Sequence, residues 1–235
     1  MEQVTEGSEW IRMKLLDNDP EPIYLQAWGG TNTIARALKS IEEQYSGEKN
    51  WASIKDKISK KAIIYTVMDQ DATLKNYIAG HWPQIRVFYN AHQFGSFAYP
   101  WKRIMPKATQ PYFEGTYMGP KIIQNHGPLL KMYYSYGDGQ KQAGDDEHIH
   151  GDPTKLKNAQ WGSFSPYDFI SEGDSPAFLH LVDVGLNNLN NPSFGGWGGR
   201  FAIAEGNPYR FEDNEKAADF NPETGKLDIS YSQTR

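Results

Sequence analysis

The spacing of apolar positions changes along this chain and sorts it into strands and helices. Residues 23–28, Ile-Tyr-Leu-Gln-Ala-Trp, form a short apolar run after the Pro-containing turn at 18–22 and predict a buried strand. The tight loop Gly29-Gly30-Thr31-Asn32 follows and offers a helix-capping residue. Ile34, Ala35, Leu38 and Ile41 then share one helical face, and that helix is predicted to end near Tyr45. A second helix is predicted over 51–60, with Ile54 and Ile58 inward. Residues 62–68, Ala-Ile-Ile-Tyr-Thr-Val-Met, are the strongest strand, and their unbroken apolar character suits a parallel strand covered on both faces. Asp69-Gln70-Asp71 leads into a helix predicted over 73–79, and a third strand is predicted over 85–89. Strand, loop, helix and strand at this spacing predict βαβ units. The expected fold is α/β, a mostly parallel sheet flanked by helices with long irregular loops.

Beyond Asn90 the periodicity weakens. Residues 90–161 are rich in Gly, Pro, His and aromatics, and 137–153 read as a long polar surface excursion. A helix is expected over 175–186, entered through Glu172-Gly173-Asp174. A glycine-rich loop spans 194–200, and the tail beyond Phe201 is expected to be mostly irregular. No internal repeat or linker divides the chain, so residues 1–235 are expected to form a single domain. Its opening is polar and acidic, unlike a signal peptide, and residues 10–16 read as the middle of a helix. The expectation is a trimmed piece of a longer protein.

Composition narrows the function. Asp and Glu number 29 against 24 Lys and Arg, with no basic stripe, which argues against nucleic acid as a partner. No apolar run approaches the ~20 residues of a membrane span. With no cysteine, disulfides, zinc–thiolate sites and cysteine nucleophiles are excluded. The 7 Trp and 14 Tyr can fill a core or stack on sugar rings. The mean hydropathy of -0.70 fits long polar loops. A homo-oligomer is left open.

Ligands of open α/β sheets sit beyond the carboxyl ends of the strands, where three polar loops qualify. The loop from Trp28 to Asn32 is either a ligand cradle, since glycine lets backbone approach a bound molecule, or a tight turn capped by Thr31 or Asn32. Asp69 and Asp71 could hold a hard cation or accept sugar hydroxyls; helix capping explains one aspartate more readily than two. Asp174 precedes a helix begun by Pro176, which fits an N-cap and also a ligand. The tract 145–152, with His148 and His150, lacks metal-site spacing and reads as a solvated loop. His126, in Asn125-His126-Gly127-Pro128, could be a general acid or a buried structural histidine.

In order, Gln26-Ala27-Trp28-Gly29-Gly30-Thr31-Asn32-Thr33, Met68-Asp69-Gln70-Asp71, Asn125-His126-Gly127-Pro128-Leu129, Glu172-Gly173-Asp174-Ser175-Pro176 and Gly195-Gly196-Trp197-Gly198-Gly199-Arg200 carry a resemblance that spans nearly the whole chain. It resembles the nucleoside-hydrolase-like domain of secreted bacterial and fungal proteins, some described as cellulose-binding. The resemblance implies hydrolysis of an N-glycosidic or related glycosidic bond by a water bound to Ca²⁺. It implies Asp174 and the backbone carbonyl of Trp28 as metal ligands, and His126 as the donor to the leaving group. It places Asn125 near the sugar-contacting region and implies a secreted or periplasmic location; with it, Asn32, Asp69, Asp71, Glu172 and Trp197, on the polar loops, are the expected substrate-binding residues. The superfamily's aspartate-rich motif after its first strand has no match here. The chain is therefore expected to lack that strand, most of the calcium carboxylates and the general base, and to be impaired in catalysis. The alternative is a non-catalytic carbohydrate-binding module, for cellulose or another polysaccharide, that uses Trp28, Trp101, Trp161 and Trp197 as stacking faces.

Overall fold

A computed structural model of the chain describes all residues except 97, 99, 134, 142–150, 159–161, 170, 183–187, 214–218, 222–225 and 229–235. The chain divides into two compact units. The first combines Met1–Gln93 with Asp174–Asp219 and Asp228–Thr234; the second is mainly Phe94–Gly173.

The first unit holds the sheet. Helix α1 (Glu6–Leu16) starts at a reciprocal cap, in which Thr5 Oγ1 accepts from the Ser8 amide and Ser8 Oγ accepts from the Thr5 amide. Strand β1 (Ile23–Ala27), helices α2 (Asn32–Tyr45) and α3 (Trp51–Lys61), and strand β2 (Ala62–Val67) follow. The predicted helix over 73–79 forms as a π-helical stretch, Leu74–Ile78, closed by an α-turn at Ala79–His81. Strand β3 is Arg86–Asn90. β1, β2 and β3 pair in parallel, with Leu25, Ile64 and Val87 in line across them.

The tail departs from expectation. Phe201–Ile203 and Arg210–Asp213 are strands of the same sheet; the second pairs in parallel with β3 and the first antiparallel with the second. Two more short strands, Asp219–Asn221 and Lys226–Asp228, pair with each other. The sheet is thus five-stranded and mostly parallel, as the βαβ spacing predicts. Charges in Arg-Phe-Glu-Asp hide the inner strand from hydrophobic patterning, because a strand this short needs only Phe211 turned inward.

Every residue of β2 is buried, and alternate side chains serve opposite faces. Ala62 and Ile64 join Leu38, Ile41, Ile58, Ile78 and Trp82 in the main core. Tyr65 faces the other way, toward Phe88, His180 and Phe201. Burial of each large aliphatic side chain contributes about 1.5–3 kcal/mol. Lys61 is buried at the end of α3 and tolerated there because it pairs with Asp17, whose pKa that hydrogen bond lowers.

The second unit is built of short helical turns around Trp101, Met118, Ile123, Tyr136, Phe164 and Phe169. Trp101 is fully buried and donates its indole N–H to the Phe169 carbonyl at 3.0 Å, so it offers no stacking face to a ligand. Asp168 anchors the local chain by accepting from the Gly115 amide at 2.7 Å, the Ser165 amide at 2.9 Å and Lys102 Nζ at 2.8 Å.

Candidate functional site

The carboxyl ends of β1 and β2 carry a tightly bonded pair of loops. Asp71 Oδ2 accepts from the Asn32 amide at 2.8 Å, and Oδ1 accepts from the Thr73 amide at 3.0 Å and its hydroxyl at 2.6 Å. Since the Thr73 proton points at Asp71, the 2.7 Å contact between Thr31 and Thr73 hydroxyls must be donated by Thr31. Burial raises the Asp71 pKa, but the hydrogen bonds from Thr73, Asn32 and Thr31 outweigh it and hold the carboxyl below its ordinary value. Gly30 follows from the same contact: a Cβ there would overlap the Asp71 carboxylate.

Asp69 is a second cap. Its two oxygens accept from the Leu74 amide at 3.0 Å and the Lys75 amide at 2.9 Å, which starts the π-helical stretch. Both aspartates therefore accept backbone amides, so capping accounts for each of the two and not for one alone. Between them, Gln70 Nε2 donates to the Trp28 carbonyl and the Val67 carbonyl, each at 3.0 Å, and so ties the end of β1 to the end of β2. Met68 and Ala72, one on each side of this segment, both have φ of 60°. Left-handed backbone at such residues costs about 1–3 kcal/mol each and survives only where neighbours enforce it.

At the ends of the next strands, Asp213 Oδ2 accepts from the Ala91 amide at 2.8 Å and the Gln93 amide at 3.1 Å. Patterning gave no sign of this aspartate. His180 packs 4.7 Å from Phe88, 5.3 Å from Tyr65 and 5.5 Å from Phe201, between ring centroids, and burial lowers its pKa to about 4. The helix Ser175–Leu179 leads into it and is shorter than the expected 175–186, because the chain leaves the helix in a turn over 180–182; residues 183–187 lie outside the described set. Asp174 stands at the head of this helix, but its side chain makes no cap bond to the helix backbone.

Exposed aromatics gather on the loops of this unit. Trp28 is 51% exposed, Phe178 58%, Phe194 62% and Trp197 62%. Gln26 Nε2 donates to the Ala177 carbonyl at 2.6 Å, which sets Phe178 next to a direct tie to β1, two residues before Trp28. Gly198 lies so close to the His180 backbone that a Cβ would overlap it, which brings the Trp197 loop onto the end of the same short helix. Asn125, His126 and Glu172 belong to the second unit, whereas Asn32, Asp69, Asp71, Asp174, Trp28 and Trp197 belong to the first. His126 Nε2 lies 3.2 Å from the Pro120 carbonyl; that oxygen can only accept, so Nε2 carries the proton. Trp161, His148 and His150 lie outside the described residues.

Among the described residues, no group of three or more His, Asp or Glu side chains converges where a calcium ion could sit. No helix among them is long and apolar enough to cross a membrane.

The mostly parallel sheet with its flanking helices places the chain in the α/β class. A solved structure described as a nucleoside hydrolase-related hypothetical protein from Saccharophagus degradans, associated with carbohydrate metabolism, shares the fold. Its TM-score is 0.54 at 24% identity, over 89% of this chain; the present chain spans 42% of the length of that one. No curated protein matches. The chain belongs to the family described as cellulose-binding Sde182, nucleoside hydrolase-like domain, whose model matches residues 1–201.

Proposed function

We propose that this chain binds carbohydrate, a cellulose-like glucan, across the exposed aromatic side chains of its first unit. The observation that carries the reading is the set Trp28, Phe178, Phe194 and Trp197, all more than half exposed in the first unit, Trp28 at the end of β1 and Phe178 on the helix Ser175–Leu179. Large flat side chains held in water gain most when a sugar ring covers them. The strand-end carboxylates are occupied by backbone amides, so recognition falls to aromatic faces and loop amides rather than to ions. The family's description agrees with such a ligand. An insoluble cell-wall polysaccharide as ligand implies action outside the cytoplasmic membrane.

Adsorption to microcrystalline cellulose tests this. Trp28→Ala and Trp197→Ala are each expected to weaken adsorption about tenfold, equivalent to about 1.4 kcal/mol. Adsorption equal to that of the unaltered chain in the double variant would defeat the reading.

A hydrolytic reading stands second. It makes the chain part of an N-glycoside or related hydrolase, with calcium and His126 in the roles implied by the resemblance. The family's description as nucleoside hydrolase-like favours it. The described residues supply too few donors for the metal, so no step is derived through it. Calorimetric titration of calcium into the chain, with Asp174→Ala as control, decides this. Saturable binding lost in the variant supports hydrolysis, and no binding leaves carbohydrate binding alone.

A further inference from the structure

The second unit contains a cavity of about 300 Å³ lined by Ile123, Gln124, Asn125, Asp138, Gln140 and Tyr167. We propose that it is a binding site for one neutral sugar residue, such as an end of a soluble gluco-oligosaccharide. That the neutral ligand is a sugar rests on the carbohydrate reading above; the cavity and its chemistry do not.

The volume lies at the lower end of ligand pockets, which suits a ligand of one or two rings. The lining selects further. Two carboxamides, Gln124 and Asn125, can each donate and accept, which matches hydroxyl groups that do both, and Gln140, whose Nε2 donates to Asp138, offers its oxygen. Asp138 adds a negative charge to the lining. Tyr167 and Ile123 supply apolar surface for the C–H face of a ring. Among the described residues no Lys, Arg or His lines the cavity, so a phosphate or a carboxylate-bearing sugar would meet the charge of Asp138 without an opposing one from them.

The lining is also held in place. Asp138 accepts from the Ser135 amide at 2.8 Å and hydroxyl at 3.3 Å, and from the Gln140 amide at 2.8 Å and Nε2 at 3.2 Å. This fixes two lining residues before any ligand arrives. Asn125 and Tyr167 have φ of 63° and 66°. Asparagine tolerates that conformation, but for tyrosine it is an outlier that neighbours must enforce. They do: the Tyr167 amide donates to the Tyr136 carbonyl at 2.7 Å, and the next residue is the triply bonded Asp168. Two strained residues separated by more than forty positions thus line the same small cavity.

The test is titration of the full chain with cellobiose, glucose and inorganic phosphate, followed by calorimetry and amide chemical shifts. Cellobiose is expected to bind saturably and phosphate not at all. Asn125→Gly removes the amide while leaving a residue at ease with φ of 63°, so it should keep its Tm and weaken cellobiose binding at least fivefold. Gln124→Ala, at an exposed position, should also weaken it. Cellobiose affinity unchanged in both variants, phosphate binding that Asn125→Gly abolishes, or binding of neither sugar overturns the proposal. Absence of sugar binding alongside Trp28- and Trp197-dependent adsorption to cellulose defeats this cavity alone. Cavity-dependent cellobiose binding without adsorption supports the cavity and defeats the aromatic surface alone.

Discussion

Acidification from pH 7 to 4.5 should remove about 2.5 kcal/mol of stability through His180 alone. Its pKa falls from 6.5 to about 4 on folding because it is buried among Phe88, Tyr65 and Phe201. Between those values the unfolded chain binds the proton and the folded chain does not. The contribution is therefore complete above pH 6.5 and declines as pH drops toward 4. Each unit of pKa difference is worth about 1.4 kcal/mol, so the total loss approaches about 3 kcal/mol near pH 4. Other groups titrate in the same range, so the comparison must be differential. Urea unfolding of the unaltered chain and of His180→Gln, at half-unit steps from pH 8 to 4.5, isolates it. The difference in unfolding free energy should be level above pH 7 and then shift by about 2.5 kcal/mol to the disadvantage of the unaltered chain. A difference constant to within about 0.5 kcal/mol throughout would refute the burial argument, and with it the neutrality of this imidazole at pH 7.

Two further substitutions test contacts described above. Gly30→Ala should destabilise by about 2–4 kcal/mol, through overlap with Asp71 and loss of its caps, and should cost much less in an Asp71→Gly background; a double-mutant cycle by urea unfolding reads the coupling. Asp168→Ala should cost about 2–4 kcal/mol by leaving two amides unmatched and Lys102 with the Ser163 carbonyl alone, and Lys102→Met in that background should return part of it, as followed by thermal unfolding.

The sheet's first half was legible in the sequence, because β2 is an unbroken apolar run and the face of α2 repeats at helical spacing. Those signals are local. The strand Arg210–Asp213 was not legible, since its place depends on β3, far away in the chain. The division of the chain into two units also escaped a reading that found no linker, because the second unit is inserted between parts of the first. Among site residues, Asp69 and Asp71 were visible as an acidic pair at a strand end, but not their partners: the amides of Leu74, Lys75, Asn32 and Thr73 decide what those carboxylates do. Exposure was equally hidden. Trp28, Trp101 and Trp197 look alike in sequence, yet Trp101 is buried and the other two face water. The cavity of the second unit joins three chain segments, of which only Asn125 drew notice.

The bond from the Ala91 amide to Asp213 spans 122 residues, and it sets an order of events during synthesis. β1, β2 and β3 emerge together and can pair from local contacts. The partner of β3's far edge follows only after residues 94–173 of the second unit have been made, roughly 6–24 s later at ordinary elongation rates. For that interval the nascent sheet presents an unpaired edge, the kind of surface that recruits other strands. The insertion that gives this protein its second unit thus leaves it most open to misassembly midway through translation, and slower elongation downstream of β3 should lower the yield of folded chain.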